Sequence, residues 1–146
     1  MPKIGDLAPD FEAPTHKGTP LKLSSLRGSR VVLYFYPKAD TPGCTMESKG
    51  FRDIYSELKA HKVEVVGVSV DSVDDQSAFC SKYQLPFPLV ADTSRAVSNA
   101  YGVLNDAGRD RRVTFLLDPQ GKIVEVVDDR NAETHLNRTR ALFLPS

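Results

Sequence analysis

The chain has 146 residues, 40% of them hydrophobic and 26% charged, an ordinary globular composition long enough to bury a core without covalent staples. Lys plus Arg and Asp plus Glu each number 19, so the net charge is zero and nothing argues for nucleic acid, an anionic membrane or a polyanionic substrate. Apolar runs such as 31–36 are far too short to cross a bilayer, and two cysteines outside CxxC or CxxH spacing exclude the common zinc frameworks.

No apolar h-region follows Met1, so no secretory signal is expected and the location expected is cytoplasmic. With no repeat, low-complexity tract or linker, residues 1–146 are expected to form one domain. The first thirty residues read as irregular chain with two short edge strands, 11–13 and 21–23, either side of the turn-rich Thr15–Pro20. Residues 31–36 are β-branched and aromatic, and Pro37 stops the strand. After the turn residues Pro42 and Gly43, apolar side chains at Phe51, Ile54, Tyr55 and Leu58 mark a helix running to about Ala60. Cys44, seven residues before Phe51, falls on the same face in the first turn. A thiol there meets unpaired backbone N–H groups and the positive end of the helix dipole, both of which favour thiolate.

Residues 63–70 are apolar on both faces, as in a central parallel strand, which completes a βαβ unit. Ser72 with Asp75 opens a helix that Pro86 must end, and Cys80 lies in it beside Phe79. Residues 87–90 form a short strand or extended segment, and Ser94 to Tyr101 a helix stopped by Gly102. A hairpin follows, 113–117 and 122–127 around Asp118–Gly121, and Ala132, Leu136, Thr139 and Phe143 then share one helical face. The order predicts an α/β thioredoxin-like fold, a central mixed β-sheet flanked by helices. His16, His61 and His135 stand isolated in turn-like or polar contexts and read as surface residues, not ligands or bases.

Pro37, Thr41 and Cys44 stand as Pro-x-x-x-Thr-x-x-Cys, which resembles the active-site signature of peroxiredoxins. The wider run Tyr34–Lys38 and Thr41–Thr45 is similar to the peroxiredoxin Q (bacterioferritin comigratory protein) branch. Glu47 matches an acidic position frequent in the family. Arg112 in Arg112-Val113-Thr114-Phe115-Leu116 matches the arginine that precedes a strand and points back at the cysteine. The likeness runs from Asp6 to Gly121. Lys49 occupies the place, five residues after the reactive cysteine, where many members of the branch carry a resolving cysteine. Cys80 fits another group, which carries the resolver in the helix after the second βαβ strand.

The resemblance implies a thiol peroxidase that needs no cofactor: no metal, haem or flavin. Cys44 thiolate attacks one peroxide oxygen, leaving a sulfenic acid, while water or alcohol departs. Thr41 hydroxyl, the Cys44 N–H and Arg112 are the candidate donors to the leaving oxygen, and Pro37 supplies an apolar wall. Cys80 then closes a disulfide, with local unwinding of the first turn of the Cys44 helix, of the Cys80 helix, or of both; mid-helix Gly50 eases it. Partners implied are peroxide substrates and thioredoxin or a similar dithiol reductant, with no nucleic acid or membrane, and the protein a monomer. Cys80 also reads as a small apolar filler, and Glu47 equally as a first-turn acid facing the helix dipole or as a support for Arg112. Whether Arg111 or Arg112 reaches the site rests on the Arg-x-Thr-Phe match. The alternative function is a thioredoxin-fold redox sensor or interaction module whose peroxide turnover is incidental. The missing Gly-Gly-Leu-Gly loop and Tyr-Phe tail resemble relatives that resist overoxidation.

Overall fold

The computed structural model describes residues 1–144; Pro145 and Ser146, where the expectation about a tail falls, lie outside the described residues. Two short strands, β1 (Glu12–Pro14) and β2 (Pro20–Lys22), pair antiparallel as a separate hairpin. The main sheet has the order β5-β4-β3-β6-β7. Its strands are β3 (Arg30–Phe35), β4 (Val63–Ser69), β5 (Leu89–Ala91), β6 (Val113–Leu117) and β7 (Ile123–Asp128). β3, β4 and β5 run parallel, and β6 and β7 add antiparallel beyond β3, so the sheet is mixed as the element order predicts.

Strand β3 is buried on both faces and its alternation sorts the core into two layers. Val31, Leu33 and Phe35 pack with Val97, Tyr101, Val103 and Phe115 on one side. Val32, Tyr34 and Tyr36 pack with Cys44, Phe51, Leu58, Phe79 and Phe143 on the other. The helices are α1 (Pro42–Ala60), α2 (Val73–Tyr83), α3 (Ala96–Tyr101) and α4 (Ala132–Phe143). The cysteines and α1, α2 and α4 therefore share one side of the sheet, while α3 covers the other.

Several expectations shift in detail. Helix α2 opens as expected, with Ser72 Oγ accepting from the Asp75 N–H at 3.1 Å. Helix α3 begins at Ala96, not Ser94, because Arg95 holds a left-handed backbone at φ 64° and the Asp92 carboxylate takes the N–H groups of Val97 and Ser98. His16 is half-buried, its Nδ1 accepting from the Leu89 N–H. His135 is not a surface residue: it is fully buried, bonded to Thr114 on β6 and to the Asp129 carbonyl. Gly50 serves close packing, since a Cβ there would overlap Leu136 of α4. Among the described residues no helix is long and apolar enough to cross a membrane.

Candidate active site

The cysteine site stands at the carboxyl end of β3, where the chain leaves the sheet and starts α1. Tyr36 still donates its N–H to the Val68 carbonyl, and Pro37, with no N–H to give, ends the ladder. The loop that follows is tied down at two points. Ala39 N–H donates to Asp71 Oδ2 at 2.8 Å, and Asp40 receives Lys82 Nζ at 2.9 Å and Tyr83 Oη at 2.8 Å from the end of α2. Thr41 is the N-cap of α1 and Pro42 occupies its first turn, where a missing N–H costs nothing. The first intrahelical bond runs from Thr45 N–H to the Thr41 carbonyl at 2.8 Å, so the amides of Gly43 and Cys44 precede the ladder.

Thr41 hydroxyl donates to the Lys38 carbonyl at 2.8 Å. Its hydrogen is committed to the loop, so the oxygen offers lone pairs to the site, not the donor that the sequence suggests. Pro37 lines a pocket of about 650 Å³ together with Arg112, Asp110 and Arg130.

Cys44 is 1% exposed and its neighbour is a cation. Arg112 directs Nη2 to Cys44 Sγ at 3.5 Å, Nη1 to Glu47 Oε1 at 2.7 Å and Nε to the Arg130 carbonyl at 3.1 Å. The planar fork can serve all three at once, which a lysine could not. Burial works against the guanidinium's charge, but Glu47 and Cys44 outweigh it, and the Arg112 pKa stays above its ordinary value. Gly43 makes room for this reach: a Cβ there would sit 2.9 Å from Arg112 Nη2. Arg111 turns away to Asp128 at 2.6 Å and to the Gly102 carbonyl, which decides between the two arginines.

Glu47 is fully buried and stands in the second turn of α1, not the first, so it is no first-turn acid facing the helix dipole; its partner is Arg112. Burial pushes its carboxyl up to about 7 against the downward pull of Arg112. Its Oε2 has no hydrogen-bond partner and faces His135 Nδ1 at 3.7 Å. Sequence reasoning missed His135; its position one turn inside α4, next to buried Ala132 and Thr139, is the signal that could have found it.

Cys80 belongs to the same apolar cluster as Cys44 but is only half-buried, in the last turn of α2. Its Sγ donates to the Leu85 carbonyl at 3.2 Å, and burial pushes its thiol pKa up. Both thiols are free. The site thus brings Cys44, Arg112, Glu47 and Gly43 together beside the pocket that Pro37 lines, with Thr41 at the N-cap of α1 and Cys80 on the adjoining helix. Among the described residues no group of three or more His, Cys, Asp or Glu is placed to hold a metal ion.

Comparison with known proteins gives the family. The model of the AhpC/TSA family matches residues 4–126. Putative peroxiredoxin bcp of Coxiella burnetii is 43% identical over 92% of this chain and 93% of its own, and Peroxiredoxin Bcp of Escherichia coli K12 is 40% identical over 91% and 90%. Among solved structures, peroxidoxin BcpB of Mycobacterium tuberculosis superposes with a TM-score of 0.87 at 36% identity, covering 97% of this chain and 99% of that one. Bacterioferritin comigratory protein of Xanthomonas campestris, studied as a trapped intermediate and ligand complex for its alkyl peroxide reduction activity, superposes at 0.86 with 31% identity, over 92% and 90%. The chain belongs to the AhpC/TSA family, in its peroxiredoxin Q and bacterioferritin comigratory protein branch, and is a thiol-dependent peroxidase.

Proposed function

We propose that Cys44 is the residue peroxide oxidises and Cys80 the one that resolves it, within one thioredoxin-like domain that works as a cytoplasmic monomer on hydrogen peroxide and organic hydroperoxides. The observation that carries the assignment is the 3.5 Å contact between the Arg112 guanidinium and the buried Cys44 sulfur. In the first step the Cys44 sulfur bonds to one peroxide oxygen, the O–O bond breaks, and the other oxygen takes a proton and leaves as water or alcohol. Charge grows on that leaving oxygen, and Arg112 with the Cys44 N–H stabilises it from fixed positions. Thr41 Oγ1 orients the peroxide by accepting its O–H, and Pro37 supplies one apolar wall in a mouth otherwise lined by polar and charged side chains.

In the second step Cys80 sulfur attacks the Cys44 sulfenic sulfur and water departs, leaving a disulfide. Cys80 lies in the last turn of its helix, with its thiol engaged by Leu85, so that turn must open first. Helix ends open at low cost, and opening also relieves the burial that keeps the thiol protonated. A dithiol of thioredoxin type then reduces the exposed disulfide.

The test is peroxide consumption by wild-type, Cys44→Ser and Cys80→Ser proteins, each supplied with a thioredoxin system. Cys44→Ser is expected to lose all activity. Cys80→Ser is expected to keep the single turnover of Cys44 but lose steady-state turnover. A Cys80→Ser enzyme cycling at the wild-type rate would remove the resolving role. Persistent peroxide reduction by Cys44→Ser would overturn the whole assignment. No turnover by wild-type protein despite a formed disulfide would move the reading to a redox sensor.

A further inference from the structure

Helix α4 brings a histidine into the cysteine site that the reaction outlined above does not use. His135 is fully buried, with Nε2 2.7 Å from the Asp129 carbonyl oxygen and Nδ1 2.7 Å from Thr114 Oγ1. A carbonyl can only accept, so Nε2 carries the hydrogen, and in the neutral ring Nδ1 accepts from the Thr114 hydroxyl. Glu47 Oε2 then faces a lone pair at 3.7 Å instead of a donor, and it has no hydrogen-bond partner. A buried carboxylate oxygen left in this way is costly. A proton corrects it from either side. On Nδ1 it sets a positive charge 3.7 Å from Oε2, with that N–H donating to the Thr114 hydroxyl, which turns to accept; on Oε2 it removes the charge.

Charge balance leads to the same place. Arg112 is one cation against two possible anions, Glu47 at 2.7 Å and the Cys44 sulfur at 3.5 Å. With Cys44 as thiolate the buried group carries one anion in excess, and one proton on the Glu47–His135 pair restores neutrality. Once the sulfur is a neutral sulfenic acid, Arg112 and Glu47 match each other and the extra proton is no longer favoured.

We propose that Glu47 and His135 form a buried one-proton site whose occupancy follows the charge on the Cys44 sulfur, with His135 a positioning residue that acts on the nucleophile through Glu47 and Arg112. This rests on the assignment of Cys44 as the attacking residue. The step balances: thiolate, hydroperoxide and the pair's proton become sulfenic acid, the deprotonated pair, and water or alcohol. One proton leaves the pair for each one that the leaving oxygen takes up.

The groups facing the pair come from several elements. They are Cys44 on α1, Tyr34 on β3, Arg112 and Thr114 at the start of β6, and Asp128 and Asp129 where β7 ends. Tyr34 stays neutral, because burial pushes its pKa far up. Burial lowers the pKa of His135, the bond to the Asp129 carbonyl raises it, and Arg112 lowers it further; the net direction is down. Burial raises Glu47 toward neutrality. The proton accordingly rests mainly on the Glu47 side, with His135 deciding how well the charged form is tolerated.

The test follows the Glu47 carboxyl carbon and the His135 imidazole nitrogens by NMR from pH 5 to 9, in reduced wild-type and in Cys44→Ser protein. Removing the sulfur's charge is expected to lower the pair's titration midpoint by about one pH unit or more. Equal midpoints, or no titration in the range, would overturn the proposal. A second arm uses His135→Gln, whose amide can donate but cannot take a proton, and reads the pH profile of the second-order rate of Cys44 oxidation. The near-neutral inflection is expected to shift down by about one unit or vanish, because a donor now supports the charged carboxylate. A uniform drop in rate with the inflection in place would mean a merely structural histidine. Peroxide reaction in Cys44→Ser would instead sink the underlying assignment, whatever the NMR shows.

Discussion

The two cysteines sit in one apolar cluster, yet their surroundings differ in almost every respect that governs reactivity. Cys44 lies in the first turn of a 19-residue helix, 1% exposed, with a guanidinium held against its sulfur by a buried carboxylate and a backbone carbonyl. Cys80 lies in the last turn of an 11-residue helix, half-buried, with its thiol bonded to a carbonyl and its ionisation opposed by burial. One neighbourhood is buried and built around charge; the other is half-buried at a helix end and favours the protonated thiol. The contrast separates the two chemical steps in time. In the proposed assignment the nucleophile is ready in the folded protein, while the resolver becomes reactive only when its helix end opens.

The largest effect should come from the charged side. Arg112→Met is expected to slow Cys44 oxidation on the order of 10²–10³-fold, the usual loss of one transition-state donor. Arg112→Lys should recover little of it, since an ammonium cannot hold Glu47, the Arg130 carbonyl and the sulfur together. Stopped-flow rates with hydrogen peroxide check both, and a Lys variant at the wild-type rate would show that charge alone suffices.

Next in size is a cost stored on the wall of the same pocket. Asp110 is fully buried, neither carboxyl oxygen has a hydrogen-bond partner, and burial pushes its pKa up to about 7. Because the folded form holds the proton more tightly than the unfolded one, stability falls as pH rises from about 4 toward 7. Asp110→Asn should therefore raise stability by about 1–3 kcal/mol at pH 8 and change it little at pH 4. Denaturant melts at the two pH values check this, and an equal change at both would contradict it.

Smaller effects distinguish two glycines of one helix. Gly43→Ala should leave the fold intact but displace Arg112 and slow Cys44 oxidation about tenfold. Gly50→Ala should act first on stability, lowering it by about 1–2 kcal/mol as the Leu136 side chain of α4 is displaced. The smallest effect belongs to the Cys80 side. Asp40→Asn removes the carboxylate that Lys82 and Tyr83 hold, an exposed contact well screened by water, so disulfide formation should quicken only slightly with Cys44 oxidation unaltered.

Much of this was legible in the sequence because the signals were local. The β-branched run ending at Pro37, the apolar period through Phe51 and Leu58, and the Ser72 cap each fix an element within a few residues. Pro37, Thr41 and Cys44 were singled out by a short motif that resembles the family's signature. Arg112 lies 65 residues from Glu47 in sequence, and only the family match brought the two together. What escaped was long-range satisfaction of polar groups. His135 looked like a surface residue because its partners, Thr114 and the Asp129 carbonyl, come from a strand and a loop that α4 does not announce. Helix α3 started late because Asp92 caps it from outside the segment. Gly50 read as a weak point in its helix because the neighbour needing its space is Leu136, on a helix far along the chain.

The division of labour between the two cysteines is tested most directly by mixing fully reduced protein with one equivalent of hydrogen peroxide and mapping peptides by mass spectrometry at increasing quench times. Cys44 sulfenic acid should come first, followed by an intramolecular Cys44–Cys80 disulfide, with no oxidation of Cys80 while Cys44 is reduced. Early oxidation at Cys80, or a Cys44 sulfenic acid that persists beside a free Cys80 thiol, would contradict it.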